Sequence, residues 1–213
     1  MQPAPDVLLL ISPNCPHCES LLQSLSELVK QAKIGRLEII NIAVHAEAAD
    51  RLGVRSLPWT RIGYFELTGN HTPDDLLKWV NRAATDTGGT DYLSELLSQQ
   101  QLNRAMELVT EKPIMLQAAM ELIASPETPM VTRIGVSAII EELADTEELR
   151  SLVNQLAELT NAEESSIRAD AAHYLGLSGS ISAAQWLKPM LNDAHEHVRE
   201  IAQDSLERLE ETD

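Results

Sequence analysis

The first third of the chain alternates short apolar runs with amphipathic stretches. The runs "DVLLLIS" (6–12) and "RLEIINIAV" (36–44) each predict a buried β-strand. Between them, from about Pro16, apolar residues recur at the spacing of one helix face: Leu21, Leu22, Leu25 and Leu28. Because a strand–helix–strand unit makes a right-handed crossover, the pattern predicts two parallel strands with a helix packed on them.

Shorter elements complete this pattern. The stretch "EAADRLG" (47–53) predicts a short helix, and "VRSLPWTRIGYFELTG" (54–69) predicts two short strands. A last helix is predicted over 72–83, with Thr72 as its N-cap and Pro73 at its first position. The whole region is therefore predicted to be an α/β domain.

The rest of the chain contains internal sequence repeats. Three stretches align without gaps: "TRIGVSAII" (132–140), "IRADAAHYL" (167–175) and "VREIAQDSL" (198–206). Each has an arginine at its second position, and the arginines are 35 and 31 residues apart. Repeats of this length predict helix pairs that bury their apolar stripes only against neighbouring pairs.

Further helices are predicted around these three. They are the stretches 92–109, 113–124, 147–159 and 182–191. The small, polar stretch "ATDTGGTD" (84–91) separates the two patterns, as a linker does. We therefore predict an α/β domain over 1–84, a linker over 85–90 and an all-α solenoid of helical repeats over 91–213.

Charge differs strongly between the two parts. The chain has 33 acidic and 16 basic side chains, and residues 85–213 hold 24 of the acids but only 8 of the bases. Nucleic acids and anionic membranes bind positive surfaces, so neither is an expected partner. A formal charge of about −16 on this part favours basic protein partners instead.

The sequence shows no signal for a membrane or for export. No run approaches the roughly 18 apolar residues of a transmembrane helix. The N-terminal "MQPAPDVLLLIS" lacks the basic start and the long apolar run of a secretory signal. We therefore expect a cytosolic protein. In that compartment a pair of nearby cysteines is more often catalytic or metal-binding than structural.

Cys15 lies between the first predicted strand and the helix that follows it, and Cys18 is expected one turn inside that helix. The dipole and free N–H groups of a helix N-terminus favour a thiolate, and Pro16 suits the first helical position. His17 adds positive charge beside the sulfur when it is protonated. At this spacing the two sulfurs can form a disulfide, and only the first is expected to be open to attack.

Other interpretations of these residues stay open. The thiols could be two unreactive core cysteines. They could also be half of a zinc site, although such a site needs four ligands and the chain has no second cysteine pair. His17 could be an ordinary surface residue. We expect no metal site and no cofactor.

Together with a second motif, the cysteines show a family resemblance. "CPHC" after an apolar strand, followed about forty residues later by "GVRSLPW", resembles the thioredoxin superfamily, with a cysteine motif of the DsbA and glutaredoxin type. The resemblance covers roughly residues 5–84. It implies a redox-active dithiol, a cis peptide bond before a Pro58 that faces the two cysteines, and a substrate segment that pairs with the backbone of Leu57 and binds along Pro58 and Trp59. A core or groove-wall position is the alternative for Trp59. A trans Pro58 without a function is the alternative.

Two features depart from that family. The domain is expected to lack thioredoxin's first strand and helix, so the resemblance implies a minimal version of the fold. The family's buried acid would fall at Leu9, which cannot accept a proton. Proton removal from Cys18 is then expected to use His17, Glu19 or water.

The three aligned stretches resemble HEAT repeats of the short bacterial type, which are also found in phycobilin lyases. The resemblance covers roughly residues 91–210 and implies a curved helical stack that binds another protein. A stack that only stabilises or dimerises the first domain is the alternative. HEAT repeats are too widespread to imply lyase chemistry.

Two functions follow from these motifs. The first is a thiol–disulfide oxidoreductase in which Cys15 attacks, Cys18 resolves the mixed disulfide, and the repeats hold a protein substrate nearby. The second is a repeat adaptor whose thioredoxin-like domain senses redox state or only adds surface. The two differ in whether Cys15 turns over disulfides.

Overall fold

The computed structural model describes residues 4–85 and 88–211. The chain divides into two compact units, Met1–Gly88 and Gly89–Asp213. Buried apolar residues occur within each unit, and the two are described in turn.

Helices extend into both ends of the predicted linker, 85–90. Thr85 ends one helix and Gly89 begins the next. Residues 86–87 of the predicted linker lie outside the described residues.

The first unit is built on a four-stranded sheet. Its strands are β1 (Asp6–Ile11), β2 (Arg36–Asn41), β3 (Trp59–Ile62) and β4 (Phe65–Thr68). They lie in the order β2-β1-β3-β4, in which β1 and β2 are parallel and the other neighbours are antiparallel. The parallel pair confirms the predicted strand–helix–strand unit.

The second strand is shorter than predicted, because the predicted strand 36–44 contains a turn. The side chain of Asn41 accepts a hydrogen bond from the N–H of Ala43 (3.0 Å). The N–H groups of Val44 and His45 donate to the carbonyl of Asn41. An asparagine that bonds two residues ahead favours a turn over a strand. This turn leaves Val44 on the surface, 72% exposed.

Three helices complete the first unit: α1 (Cys18–Lys30), α2 (Ala46–Arg51) and α3 (Pro73–Thr85). The predicted cap of α3 is confirmed. The N–H of Asp75 donates to Thr72 Oγ1, and the N–H of Thr72 donates to Asp75 Oδ2, both at 3.2 Å. The Thr72 hydroxyl also donates to that carboxylate, and these hydrogen bonds hold the pKa of Asp75 below its usual value.

The core of this unit lies on both sides of β1, because neighbouring residues of a strand point to opposite faces. Leu9 is fully buried on one face. On that same face the ring of Phe65 lies 4.8 Å from a tryptophan ring of α3. Leu10, on the other face, packs with Trp59 and with Ala49 of α2. Burial on both faces fixes the end of β1, from which the cysteine loop departs.

The second unit consists of helices and short connections over its described residues. They are α4 (Gly89–Ser98), α5 (Leu102–Glu111), α6 (Pro113–Ala124), α7 (Met130–Glu142), α8 (Glu147–Ser151), α9 (Val153–Leu159), α10 (Ser165–Leu177), a 3₁₀ helix (Ile181–Ala183), α11 (Ala184–Met190) and α12 (Glu196–Glu211). Two predicted helices are each divided in two. The stretch 92–109 breaks at Gln100, whose φ of 60° is left-handed, and the stretch 147–159 breaks at Leu152. No helix within the described ranges has the length and apolar character needed to cross a membrane.

The aligned arginines connect consecutive parts of the repeats. Arg168, near the start of α10, donates through Nε and Nη2 to the two carboxylate oxygens of Asp193, at 2.7 and 2.8 Å. Its Nη1 donates to the carbonyls of two residues in the loop before α10. The equivalent arginines, Arg133 and Arg199, also donate to loop carbonyls. The repeated arginine is therefore a structural residue that holds the connections between helices.

Asp193 gives the repeats a measurable pH dependence. Its hydrogen bonds from Arg168 lower the pKa of its carboxyl from 3.8 to about 2. A carboxyl with a lowered folded-state pKa stabilises the fold above its unfolded pKa, and this stabilisation is lost as the pH falls through the folded pKa. We expect Asp193→Asn to lower the free energy of unfolding at pH 7, by an amount that shrinks between about pH 4 and pH 2.

Urea denaturation at a series of pH values measures this difference. Glu147→Gln is the matched control, because the carboxylate of Glu147 pairs with Arg150 at the surface and is 86% exposed. A loss for Asp193→Asn that is the same at both ends of the pH range would contradict the assigned role of the ion pair.

Candidate functional site

The two motifs of the first unit meet at one edge of the sheet. β1 and β3 are antiparallel, and Leu10, near the end of β1, pairs with Trp59 at the start of β3. The chain leaves β1 toward the cysteines at this edge, and it enters β3 through Pro58 at the same edge. The structure therefore brings the cysteine loop and the segment before β3 to the same end of two neighbouring strands.

The cysteine loop is a tight turn in front of α1. The N–H of Cys15 donates to the carbonyl of Ser12 (3.2 Å), and the N–H of Cys18 donates to the carbonyl of Cys15 (3.4 Å). α1 begins at Cys18, with His17 as its N-cap. The predicted start at about Pro16, with Cys18 one turn inside the helix, is therefore wrong by two residues. The N–H of Cys18 donates to the carbonyl three residues earlier, as in a turn, and not to the carbonyl four residues earlier, as in an α-helix.

A disulfide joins Cys15 and Cys18, with an S–S distance of 2.07 Å. Cys18 is buried, with 5% of its surface exposed. Cys15 is half-buried, and Pro16 and His17 are exposed. The Cys15 sulfur is bonded to the sulfur of Cys18, the first residue of α1. It therefore lies at the helix N-terminus, where a thiolate is favoured. Such a pair can form and break a disulfide bond, and Cys15 is the cysteine of the pair that solvent reaches.

The Leu57–Pro58 peptide bond is cis, which confirms this implication of the resemblance. The carbonyl of Pro58 accepts a hydrogen bond from the N–H of Gly69 (2.8 Å), which ties the segment to the end of β4. Pro58 and Trp59 are buried, and Leu57 is half-buried. Trp59 packs in the core with Leu10. Of the three residues predicted to contact a substrate, Leu57 is thus the one with appreciable exposure.

The core beneath this edge contains a polar group that sequence reasoning missed. Leu9, where the resemblance implied the family's buried acid, pairs across the ladder with Thr60. The Thr60 hydroxyl is buried and has no hydrogen-bond partner within the described residues. A threonine in a strand is ordinary, so the sequence held no signal for it. His17 and Glu19, the two side chains expected to take a proton from Cys18, are both exposed.

The same edge also holds exposed apolar surface that the sequence did not reveal. β2 is parallel to β1, and its last residue, Asn41, pairs with Ile11. The turn after β2 therefore lies at the end of the sheet from which the cysteine loop departs. Val44, in this turn, is a large apolar residue that is 72% exposed. The signal for it was Asn41, whose side chain ends the strand three residues earlier than the apolar pattern predicts.

Comparison with known protein families confirms both resemblances. The model of the thioredoxin domain matches residues 6–81, which contain the cysteine loop and Pro58. The model of HEAT repeats matches residues 116–207, which contain the three aligned arginines. A search among curated proteins finds no match to the chain. The chain therefore contains a thioredoxin domain, over residues 6–81, followed by HEAT repeats, over residues 116–207.

Proposed function

We propose that the protein is a thiol–disulfide oxidoreductase whose repeats hold its protein substrates or partners. The observation that supports this most strongly is the unequal exposure of two bonded cysteines at the sheet edge that also holds cis Pro58. An accessible sulfur can attack a substrate, and a buried neighbour can then displace it. Two thiols that were both buried would offer no sulfur for the first step.

In the reducing direction, the Cys15 thiolate attacks one sulfur of a substrate disulfide. A bond forms between Cys15 and the substrate, and the other substrate sulfur leaves as a thiolate that takes a proton from water. The Cys18 thiolate then attacks the Cys15 sulfur, so the Cys15–Cys18 disulfide forms and the second substrate sulfur leaves. Two electrons pass to the substrate, and an external thiol or dithiol returns the pair to its reduced form. The reverse sequence oxidises a substrate dithiol.

Local features favour Cys15 as the attacking group. The N-terminus of α1 favours a thiolate, and the exposed His17 adds positive charge there when it is protonated. Pro16 has no N–H and belongs to the exposed turn between the two cysteines. The helix N-terminus and His17 both favour the thiolate form of the sulfur that solvent reaches.

Substrate contact is assigned to the segment before β3. Leu57 is half-buried and precedes a buried proline, so its backbone is available to pair with an extended substrate segment. Trp59 is buried and packs with Leu10, so it supports this segment from the core. Val44, exposed at the same sheet edge, adds apolar surface for an unfolded or extended chain.

The repeats supply the second half of the proposed function. HEAT repeats generally bind proteins, and a partner held by the repeats has a raised effective concentration at Cys15. The formal charge of about −16 over residues 85–213 favours a basic partner. We place the protein in the cytosol, where thiol reductants keep such a dithiol able to cycle.

Turnover by the full-length chain tests this proposal. We expect the protein to accelerate the reduction of a fluorescent peptide disulfide by dithiothreitol, in proportion to its concentration. Alkylation of the reduced protein with iodoacetamide should remove the acceleration, because it blocks the attacking sulfur. A rate no higher than that of dithiothreitol alone would contradict the proposal.

One observation favours a second function. Leu9 is fully buried where the thioredoxin family has an acid, so this position supplies no base to Cys18. A HEAT adaptor whose thioredoxin domain forms its disulfide without turnover fits that feature. In that case the redox state of the cysteines changes the affinity for a partner, while the peptide disulfide is not reduced faster.

A further inference from the structure

Alignment of the repeats on their arginines isolates one unusual surface. The compared positions are the third and second before the arginine and the first after it. Their residues are Met130, Val131 and Ile134 in α7; Ser165, Ser166 and Ala169 in α10; and Glu196, His197 and Glu200 in α12. At all three positions the side chain is large and apolar in α7, small in α10 and polar in α12. The repeat itself therefore does not require apolar side chains at these positions.

The three α7 side chains, here called the α7 apolar patch, lie on the surface. Met130 is 71% exposed, Ile134 is 62% exposed and Val131 is 49% exposed. The buried residues of α7 lie on its opposite face. Large apolar side chains that are grouped and exposed mark interaction sites more often than isolated ones do. The patch therefore contributes little to the core and is available to another molecule.

Acidic residues stand at both ends of the patch. Glu127 lies in the loop before α7 and is exposed. Glu141 is seven residues after Ile134, which puts it on the same face about 10 Å along the helix. Glu142 follows it, and both are exposed. A segment that lies along this face with its apolar side chains on Met130 and Ile134 meets carboxylates on either side.

We propose that the α7 apolar patch binds a short basic segment of a partner protein, in which large apolar side chains are flanked by lysine or arginine. The acids beside the patch and the formal charge of about −16 over residues 85–213 select such a segment and repel an acidic one. The inference rests on the proposed function only in that the repeats bind a protein. It does not require disulfide turnover.

A second copy of the chain suits the patch less well. Three aliphatic side chains bury on the order of 300 Å² on each side, whereas a stable interface buries about 800 Å² per partner. Two copies would also bring two acidic repeat units together, and like charges oppose that association. The small area instead suits the anchor residues of a short segment.

Binding of designed peptides to the full-length chain tests the proposal. One labelled peptide has leucines flanked by lysines, a second has glutamate in place of lysine, and a third has serine in place of leucine. By fluorescence anisotropy, the leucine–lysine peptide should bind at least about tenfold tighter than either of the others. Its affinity should fall at least about tenfold when Met130→Ser, Val131→Ser and Ile134→Ala are combined.

The variant and its control are matched by the repeat alignment. The triple change gives α7 the residues that α10 has at the same positions, so thermal unfolding should stay within about 2 °C of the unchanged chain. The control is His197→Ser in α12, which lies at the position aligned with Val131 and is exposed. This control should leave the peptide affinity unchanged.

Several outcomes overturn the inference. The inference is wrong if the triple variant and the control bind the leucine–lysine peptide with equal affinity. It is also wrong if the glutamate peptide binds more tightly than the leucine–lysine peptide. A dimer in sedimentation experiments that becomes monomeric in the triple variant would assign the patch to a second copy instead. Peptide binding does not involve Cys15, so turnover without binding refutes this inference alone. Binding without turnover supports it and refutes the proposed oxidoreductase function alone.

Discussion

Replacing Cys15 with serine is expected to abolish turnover of the peptide disulfide, with a loss of at least about 100-fold. A serine hydroxyl is not ionised near neutral pH and cannot form the mixed disulfide. Cys18→Ser is expected to keep the first attack, because the accessible sulfur is unchanged. It should lose the second step, so that each cycle waits for an external thiol and the mixed disulfide accumulates.

The two variants are controls for each other, since each removes one sulfur from the same turn. Single-turnover mass spectrometry with the peptide disulfide separates the two steps. It should show a peptide adduct on Cys18→Ser and none on Cys15→Ser. The basis for this difference is burial, because Cys18 is 5% exposed whereas Cys15 is half-buried. Adducts on both variants in equal amounts would contradict the assignment of Cys15 as the attacking residue.

The largest loss of stability is expected for Arg168→Ala, about 3–5 kcal/mol in the free energy of unfolding of the repeat unit. The side chains of Arg168 and Asp193 are 12% and 11% exposed. Removal of the guanidinium leaves a carboxylate without its partner in a largely buried place, and it also removes the donor to two loop carbonyls. Urea denaturation followed by circular dichroism measures the loss.

Arg150→Ala is the matched control for this prediction. Arg150 also forms an ion pair within the repeats, with Glu147 at 2.8 Å, but the two side chains are 37% and 86% exposed. Surface ion pairs contribute little, so the loss is expected to be below about 1 kcal/mol. If the two arginine variants lose the same stability, the buried arginine is not the structural residue that its hydrogen bonds indicate.

Much of the fold could be predicted because its signals are local. The apolar run of β1 and the Thr72 cap of α3 each lie within a few residues of sequence, and each predicted the element that forms. The arginine motif is also short, and its recurrence in three stretches predicted the helical repeats. The resemblance to the thioredoxin family added the cis bond before Pro58, which no local pattern requires.

The element boundaries were less predictable, because single hydrogen bonds decide them. Asn41 ends β2 through a side-chain bond to the next turn. The N–H of Cys18 closes a turn, which moves the start of α1 from about Pro16 to Cys18. Gln100 divides a helix whose apolar pattern continues on both sides. In each case a local bond or backbone angle overrides a pattern that is averaged over many residues.

The composition of the candidate site was predictable only through the family resemblance, which implied that Pro58 faces the cysteines, because it depends on pairing between distant segments. The antiparallel register of β1 with β3 places Pro58 at the end of the sheet where the cysteine loop departs. Trp59, which the resemblance placed along the substrate segment, is buried and packs in the core with Leu10. The α7 apolar patch was present in the aligned sequences, but its exposure distinguishes it from an ordinary core stripe.

Mixed-disulfide trapping tests the central claim, that Cys15 attacks substrate disulfides and Cys18 releases them. Full-length Cys18→Ser protein is produced in the cytosol, with Cys15→Ser as the control, and disulfide-linked adducts are separated without reductant. The account predicts that defined proteins accumulate on Cys18→Ser through Cys15, are released by dithiothreitol and are missing from the control. If Cys18→Ser traps nothing beyond the Cys15→Ser control, the attacking sulfur is idle and the oxidoreductase account is wrong.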